Sequence, residues 1–359
     1  MEKRIKVLVV DDSAFMRRVL TDIMEGTGEI KVIGTARNGI EALDFVRSNK
    51  PDVITLDVEM PSMDGLSCLK ELQKFSTVPV IMLSGLTKKG EQATIEALEA
   101  GAIDFITKPE GLFQISGEEK KKEIIEKIKV ASRIGKKKHK IRQAEPEIPV
   151  EHIEYKGRRD SKLRMLIAIG TSTGGPRALQ EVISHIPGDI PAALVIVQHM
   201  PAGFTRSLAE RLNSISSLTV KEGEHGDIIQ PGYAYIAPGD FHMEVDRVSD
   251  EQLEIKLTKE PPVGAHRPSV NVMMNSVAKT GFPNVIGVVM TGMGNDGKEG
   301  VVNIKKSNKG IIIAQDEESC VVYGMPKSAV GTGVVDAILP LKEIAGALVK
   351  YTGVERIWT

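Results

Sequence analysis

Short apolar runs rich in β-branched residues alternate along this chain with stretches of helical periodicity, and no other feature restricts its fold as tightly. The runs Ile5 to Val10, Ile30 to Thr35, Asp52 to Leu56, Val78 to Leu83 and Ala102 to Ile106 read as strands. Between them, Phe15 to Met24 and Gly39 to Ser48 carry apolar residues at helical spacing, and the amphipathic Glu119 to Ile134 closes the unit. Strands joined through helices pair in parallel, so residues 1–130 are predicted to form a five-stranded parallel α/β domain.

The pattern then lapses. Across residues 131–160 apolar periodicity fades, Lys136 to Lys138 form a basic cluster, and Pro146 and Pro149 interrupt any helix, as expected of a solvated linker. Beyond Ser161 the alternation resumes with Met165 to Ile169, a helix near Arg177 to His185, and Ala192 to Gln198. Val285 to Met290 and Ile311 to Ala314 continue it. Tyr233 to Ala237, together with the pair Met243 to Val248 and Glu254 to Leu257, reads as an antiparallel insertion. Residues 161–359 are thus expected to be a second, doubly wound α/β domain of Rossmann-like type.

Composition excludes several classes of function. Lys and Arg number 47 against 48 Asp and Glu, so the chain lacks the cationic excess that nucleic-acid binding draws on. Cys68 and Cys320 form no CxxC pattern, which argues against a disulfide framework or structural zinc and fits a reducing cytoplasm. The apolar runs fall far short of the roughly 20 residues that span a bilayer, so no membrane insertion is expected. Met1 to Val10 has no signal-peptide core, which adds to the expectation of a cytoplasmic protein, here taken as a monomer.

In an open parallel sheet the residues just after the strands share one rim, where ligands bind. On the first sheet that rim carries Asp11 and Asp12, Asp57, Ser84, and Lys108 followed by Pro109. Each alone is a helix cap or a turn. Together, three carboxylates repel one another unless a hard divalent cation of the Mg²⁺ kind offsets them, leaving one carboxylate oxygen able to accept phosphoryl. Through VVDDS at Val9 to Ser13, LDVEMPSMDG at Leu56 to Gly65, LSG at Leu83 to Gly85 and TKP at Thr107 to Pro109, this region resembles the two-component receiver domains, whose fold is flavodoxin-like. The resemblance implies that Asp57 accepts phosphoryl from a histidine kinase. It further implies that Asp12 and Asp57 ligate Mg²⁺ directly, that Asp11 acts through water, and that Glu59 adds its backbone carbonyl. Lys108 and Ser84 would hold the phosphoryl oxygens and shift the switch aromatic, Phe105.

The second domain opens differently. Met165 to Ile169 runs into Gly170-Thr-Ser-Thr-Gly-Gly-Pro176 ahead of a helix. Such a turn either cradles a dinucleotide phosphate on helix amides or lifts a serine hydroxyl above the sheet edge. The letters fit G-x-S-x-G rather than G-x-G-x-x-G, since position 172 is serine, although small residues here also serve close packing. A serine needs an adjacent base and a group that orients it. Of the seven histidines, His199 ends the strand after the Ser172 turn. For the carboxylate, Asp296 follows the strand Val285 to Met290 within a glycine-rich turn that also offers the Met293 amide as an oxyanion donor, with Asp316 and Asp240 as rivals.

Through IGTSTGGP, VQHMPAGFT, AHRPSVNVM and MTGMGNDG, residues 161 to about 350 resemble the chemotaxis-specific protein-glutamate methylesterases, the CheB family. The resemblance implies a Ser172, His199 and Asp296 triad, the Met293 amide in the oxyanion hole, and Thr173 supporting the histidine. His266 and Arg267 would lie at the rim of the site. The implied reaction is hydrolysis of glutamyl methyl esters on the cytoplasmic helices of chemoreceptors, with deamidation of glutamines by the same acyl chemistry and no cofactor in that step. It also implies that phosphorylation of Asp57 relieves inhibition by the unphosphorylated receiver.

Overall fold

The computed structural model describes residues 4–108, 117–138, 162–249 and 252–353. Pro109 and residues 139–160 of the expected linker lie outside these. The chain divides into two compact units, Met1–Pro149 and Val150–Thr359.

In the first unit, β1 (Ile5–Val10), β2 (Ile30–Ala36), β3 (Val53–Asp57), β4 (Val80–Ser84) and β5 (Asp104–Thr107) form one parallel sheet in the order β2-β1-β3-β4-β5. Its helices are α1 (Ala14–Glu25), α2 (Gly39–Ser48), α3 (Gly65–Phe75), α4 (Lys88–Glu99) and α5 (Glu118–Lys138), the last running on past residue 130. Local sequence starts four of them. Ser13, Asn38, Asp64 and Thr87 each accept the amide three residues on, satisfying a donor that the first turn leaves open. Helices on both faces explain why Val7 to Val10 and Val53 to Asp57 are near-continuously apolar and buried. Strand order reverses between β1 and β3, which sets the ligand crevice at their carboxyl ends.

The second unit has a seven-stranded sheet in the order β14-β13-β12-β6-β7-β9-β8, parallel throughout. In chain order its elements are β6 (Met165–Thr171), α6 (Gly175–Ile183), β7 (Ala192–Gln198), α7 (Phe204–Ile215), β8 (Thr219–Glu222) and β9 (Tyr233–Ile236). A hairpin, β10 (His242–Arg247) and β11 (Leu253–Thr258), precedes α8 (Val270–Lys279), β12 (Val285–Val289), α9 (Lys298–Asn308) and β13 (Ile311–Gln315). α10 (Met325–Val330), β14 (Ala337–Leu339) and α11 (Leu341–Tyr351) complete it.

One expectation is corrected. Tyr233 to Ala237 is not part of the antiparallel insertion: β9 pairs in parallel between β7 and β8, with Leu194 opposite Ala234 and Val220 opposite Ala234 on the other side. A four-residue strand has no direction of its own; its distant neighbours supply it. The antiparallel pair is β10 and β11 alone, with His242 opposite Thr258. The chain builds one half of the sheet from β6 through β7 and returns through β12 to build the other. The crevice therefore opens above the carboxyl ends of β6, β7 and β12.

Candidate functional site

At the rim of the first sheet, Asp11, Asp12 and Asp57 each offer a carboxylate oxygen within 4.8 Å of the others. Lys108, following β5, reaches across with Nζ 2.5 Å from Asp57 Oδ2 and 2.9 Å from Asp11 Oδ2. Asp11 Oδ2 is buried against Lys108 Nζ, so a single lysine faces a cluster of three carboxylates. Burial pushes the Asp57 carboxyl up to about 6 against the opposing pull of Lys108. Lys108, despite its own burial, is held above the ordinary lysine value by Asp57 and Asp11. A hard cation would fit this donor set, which already carries the excess negative charge that such an ion neutralises.

The other predicted residues of that rim are near at hand. Glu59 donates its amide to Asp57 Oδ1 at 3.3 Å, while its side chain stands 3.8 Å from Lys89 Nζ. Ser84 Oγ is buried and accepts from Thr94 Oγ1 of α4 at 2.7 Å, a partner no motif announced. Phe105 is buried, with Lys127 Nζ 5.3 Å over its ring.

On the second sheet, β6 and β7 are adjacent and in register, Thr171 opposite Gln198. Ser172 and His199 are therefore successive residues beyond neighbouring strand ends, and the His199 amide extends the ladder to Thr171 O at 3.2 Å. His199 Nε2 lies 2.8 Å from Asp296 Oδ2, with both side chains almost fully buried. The ring's other nitrogen, Nδ1, is buried and has no hydrogen-bond partner, so the Ser172 hydroxyl does not bond it in this state. Such contacts often tighten only around substrate.

Asp296 is held from several sides. Ser269 Oγ donates to Oδ1 at 3.0 Å, Val270 N to Oδ2 at 2.7 Å and Asn271 N to Oδ1 at 2.8 Å, all at the start of α8. Burial alone would raise its pKa, but the His199 hydrogen bond and charge and the Asn271 and Val270 amides hold it below the usual aspartate value. The rivals lie elsewhere. Asp316 Oδ1 accepts from Ser319 N and Oγ in its own turn, and Asp240 is exposed, at a left-handed φ of 66°.

Backbone approach explains the glycines. Gly174 takes a left-handed φ of 78° at the head of α6, and a side chain there would strike Val321. A Cβ on Gly292 would come 2.8 Å from Ser172 Cβ, so the stretch leading to the Met293 amide lies directly against the serine. The space beside Gly175 is filled by Gln198 and Thr171, which is packing against protein rather than room for a phosphate. Thr173 is buried, its carbonyl accepting from Thr291 Oγ1 at 2.9 Å.

The CheB methylesterase family model matches residues 167–348, and the response regulator receiver domain model matches residues 7–117. A protein-glutamate methylesterase/protein-glutamine glutaminase of Pyrococcus horikoshii is 48% identical over 99% of this chain and 96% of its own. The chain belongs to the CheB methylesterase family. Its counterpart from Bacillus subtilis, of the same name, is 44% identical over 98% of this chain and 100% of its own. The crystal structure of the Thermotoga maritima CheB methylesterase catalytic domain aligns with a TM-score of 0.50 at 43% identity, over 52% of this chain and 97% of that one. As a CheB-family member the chain is a hydrolase with a receiver domain in front of its catalytic domain.

Two further residues of this CheB-family site stand out. Gln198, buried beside His199, accepts from Thr171 Oγ1 at 2.7 Å and donates to the carbonyls of Ser172 at 3.0 Å and His199 at 3.2 Å. It ties the two strand ends together; its only trace in the sequence was a polar residue closing an apolar strand. His266 stacks on His199 with ring centroids 3.8 Å apart and planes 10° apart. Arg267 Nη1 donates to the carbonyls of Lys259 and Glu260, both at 3.2 Å, and so ties down the loop that carries His266.

Proposed function

We propose that this chain hydrolyses glutamyl methyl esters on the cytoplasmic helices of chemoreceptors, and deamidates receptor glutamines, through Ser172, His199 and Asp296. The observation that carries the reading is the His199 Nε2 to Asp296 Oδ2 contact at 2.8 Å, beside the Ser172 strand end. With Nε2–H donating to the carboxylate, Nδ1 is the basic nitrogen left to take a proton.

Ser172 Oγ attacks the glutamyl carbonyl carbon as His199 accepts the hydroxyl proton, and Asp296 stabilises the imidazolium. The oxyanion draws on the Met293 amide. Collapse of the tetrahedral intermediate expels methanol, or ammonia from an amide, which leaves with the proton from His199. Water, deprotonated by the same imidazole, then splits the acyl-enzyme and releases the glutamate carboxylate and the serine. Thr173 supports the histidine from the turn. This step requires no cofactor.

The receiver sets the rate. Asp57 takes a phosphoryl group from a histidine kinase; Asp12 and Asp57 directly, Asp11 through water and the Glu59 carbonyl would hold Mg²⁺, which would neutralise charge in that transfer. Lys108 and Ser84 bind the phosphoryl oxygens, and Phe105 repacks in response. A cytoplasmic site of action matches the substrate's location, and no helix among the described residues is long and apolar enough to cross a membrane.

Methanol release from methylated receptor membranes, followed with and without a small-molecule phosphodonor, tests both parts. Release that depends on Ser172 and rises with phosphodonor is expected; full activity of Ser172→Ala overturns the triad. A fragment covering residues 161–359 should exceed the unphosphorylated full chain in rate, and equal rates would remove inhibition by the receiver.

A further inference from the structure

Two helix N-termini meet beside the His199–Asp296 pair, and each is capped by residues from the other's side. The start of α8 gives Asp296 the Ser269 hydroxyl and the Val270 and Asn271 amides. In return, Asn271 turns its side-chain Oδ1 to the start of α9 and accepts from Gly297 N at 3.0 Å, Glu299 N at 3.1 Å and Gly300 N at 2.9 Å. The N-cap residue of α9 is Gly297, at φ 94°, which has no side chain with which to cap its own helix. Asn271 supplies that cap from outside.

The two interactions share an atom. Gly297 N–H stands 3.0 Å from both Asn271 Oδ1 and Asp296 Oδ1. Residue 296 immediately precedes the helix that Asn271 holds, so the cap fixes the backbone from which the carboxylate hangs. The hydrogen bonds of Asn271 go to Asp296 and the start of α9 rather than to His199 or Ser172, and the proposed reaction does not use its side chain.

We propose that Asn271 is a positioning residue for ester hydrolysis: by capping α9 from α8 it holds Asp296 in line with the His199 ring. The proposal rests on the reading of Ser172, His199 and Asp296 as the triad. An error in placement of about 1 Å can cost on the order of 10² in rate, so a clasp of several hydrogen bonds at this point has catalytic weight. The amide also has a reason to be an amide. A carboxylate at 271 would accept the same three N–H groups, yet the two 3.0 Å arms at Gly297 would put its charge within about 6 Å of Asp296, close enough to repel it and favour the imidazolium. The other charged or titratable groups facing this junction include His266, stacked on His199, His242, whose Nδ1 accepts from Ser269 N at 3.3 Å, and Lys298 and Glu299 on α9; α8 carries none before Lys279.

The test uses the full chain with methylated receptor membranes, comparing Asn271→Ala, Asn271→Asp and Ser172→Ala with the parent. Asn271→Ala should lower kcat by roughly 10- to 100-fold with KM within about twofold, because the carboxylate rather than the substrate is displaced. Asn271→Asp should keep the parent's melting temperature and move the acid limb of the kcat/KM profile to higher pH by about half a unit or more. Parent-like kcat in Asn271→Ala together with an unmoved profile in Asn271→Asp overturns the proposal. So does activity lost only in step with melting temperature, which marks a cap that is structural alone. If Asn271→Ala does not fold, the profile of Asn271→Asp decides. An active Ser172→Ala variant instead overturns the triad reading, a failure recognisable whatever the Asn271 variants do.

Discussion

Asp57 and Asp296 are both buried aspartates, yet their surroundings drive them in opposite directions. Asp57 is raised to about 6 because burial outweighs Lys108, with Asp11 adding repulsion. A carboxyl whose folded value lies above its unfolded one costs stability once pH exceeds the unfolded value, and the cost is complete above the folded value. Asp57→Asn should therefore stabilise the first unit above pH 6 in metal-free buffer, by on the order of 2–3 kcal/mol, and leave it unchanged below about pH 4, as thermal melts across that range would show. Asp296 runs the other way: its lowered value contributes stability that is present above the unfolded aspartate pKa and lost as pH falls through the folded one. Asp296→Asn should lower kcat by roughly 10⁴ with little change in KM, measured as methanol release, because the amide cannot orient and stabilise the imidazolium as the carboxylate does. The residue types and their order were legible in the chain; Gln198, Thr94 and Asn271 were not, since each acts through contacts 10 or more residues away that no local motif encodes.

Among the elements, α8 does the most to build the site. Its cap, Ser269, accepts from Val272 N at 3.4 Å and donates to Asp296 Oδ1 at 3.0 Å. Ser269→Ala should cost about 1 kcal/mol of stability, read by denaturant melts, and lower kcat as well, since one donor to the carboxylate is removed. Most strands could be read from the sequence because each is a continuous apolar run; the four N-caps of the first unit, though equally local, were not among the expectations. β8 and β14 passed unnoticed: Thr219–Glu222 and Ala337–Leu339 are short edge strands with too few residues to show a period. β9 was seen but misdirected, because parallel or antiparallel is a property of its partners.

At the scale of the whole molecule, the two units should respond differently to a divalent cation. The acidic cluster belongs to the first alone, so Mg²⁺ should raise only that unit's unfolding transition, by up to about 3 kcal/mol at a hundredfold excess over Kd. Calorimetry of the full chain would resolve this, and an equal rise in both transitions would contradict separate metal binding. The sequence by itself determined two α/β units, the acidic rim of one, and a strand-end serine and histidine of the other with three candidate aspartates, because strand-end chemistry follows from the strand pattern. Only the tertiary structure decided that Asp296 rather than Asp316 or Asp240 meets His199, that His266 lies flat on its ring, and that Asn271 caps a helix it does not belong to. Those contacts form between segments remote in the chain, and their geometry is fixed only when the second unit's sheet has formed and its helices have packed on it.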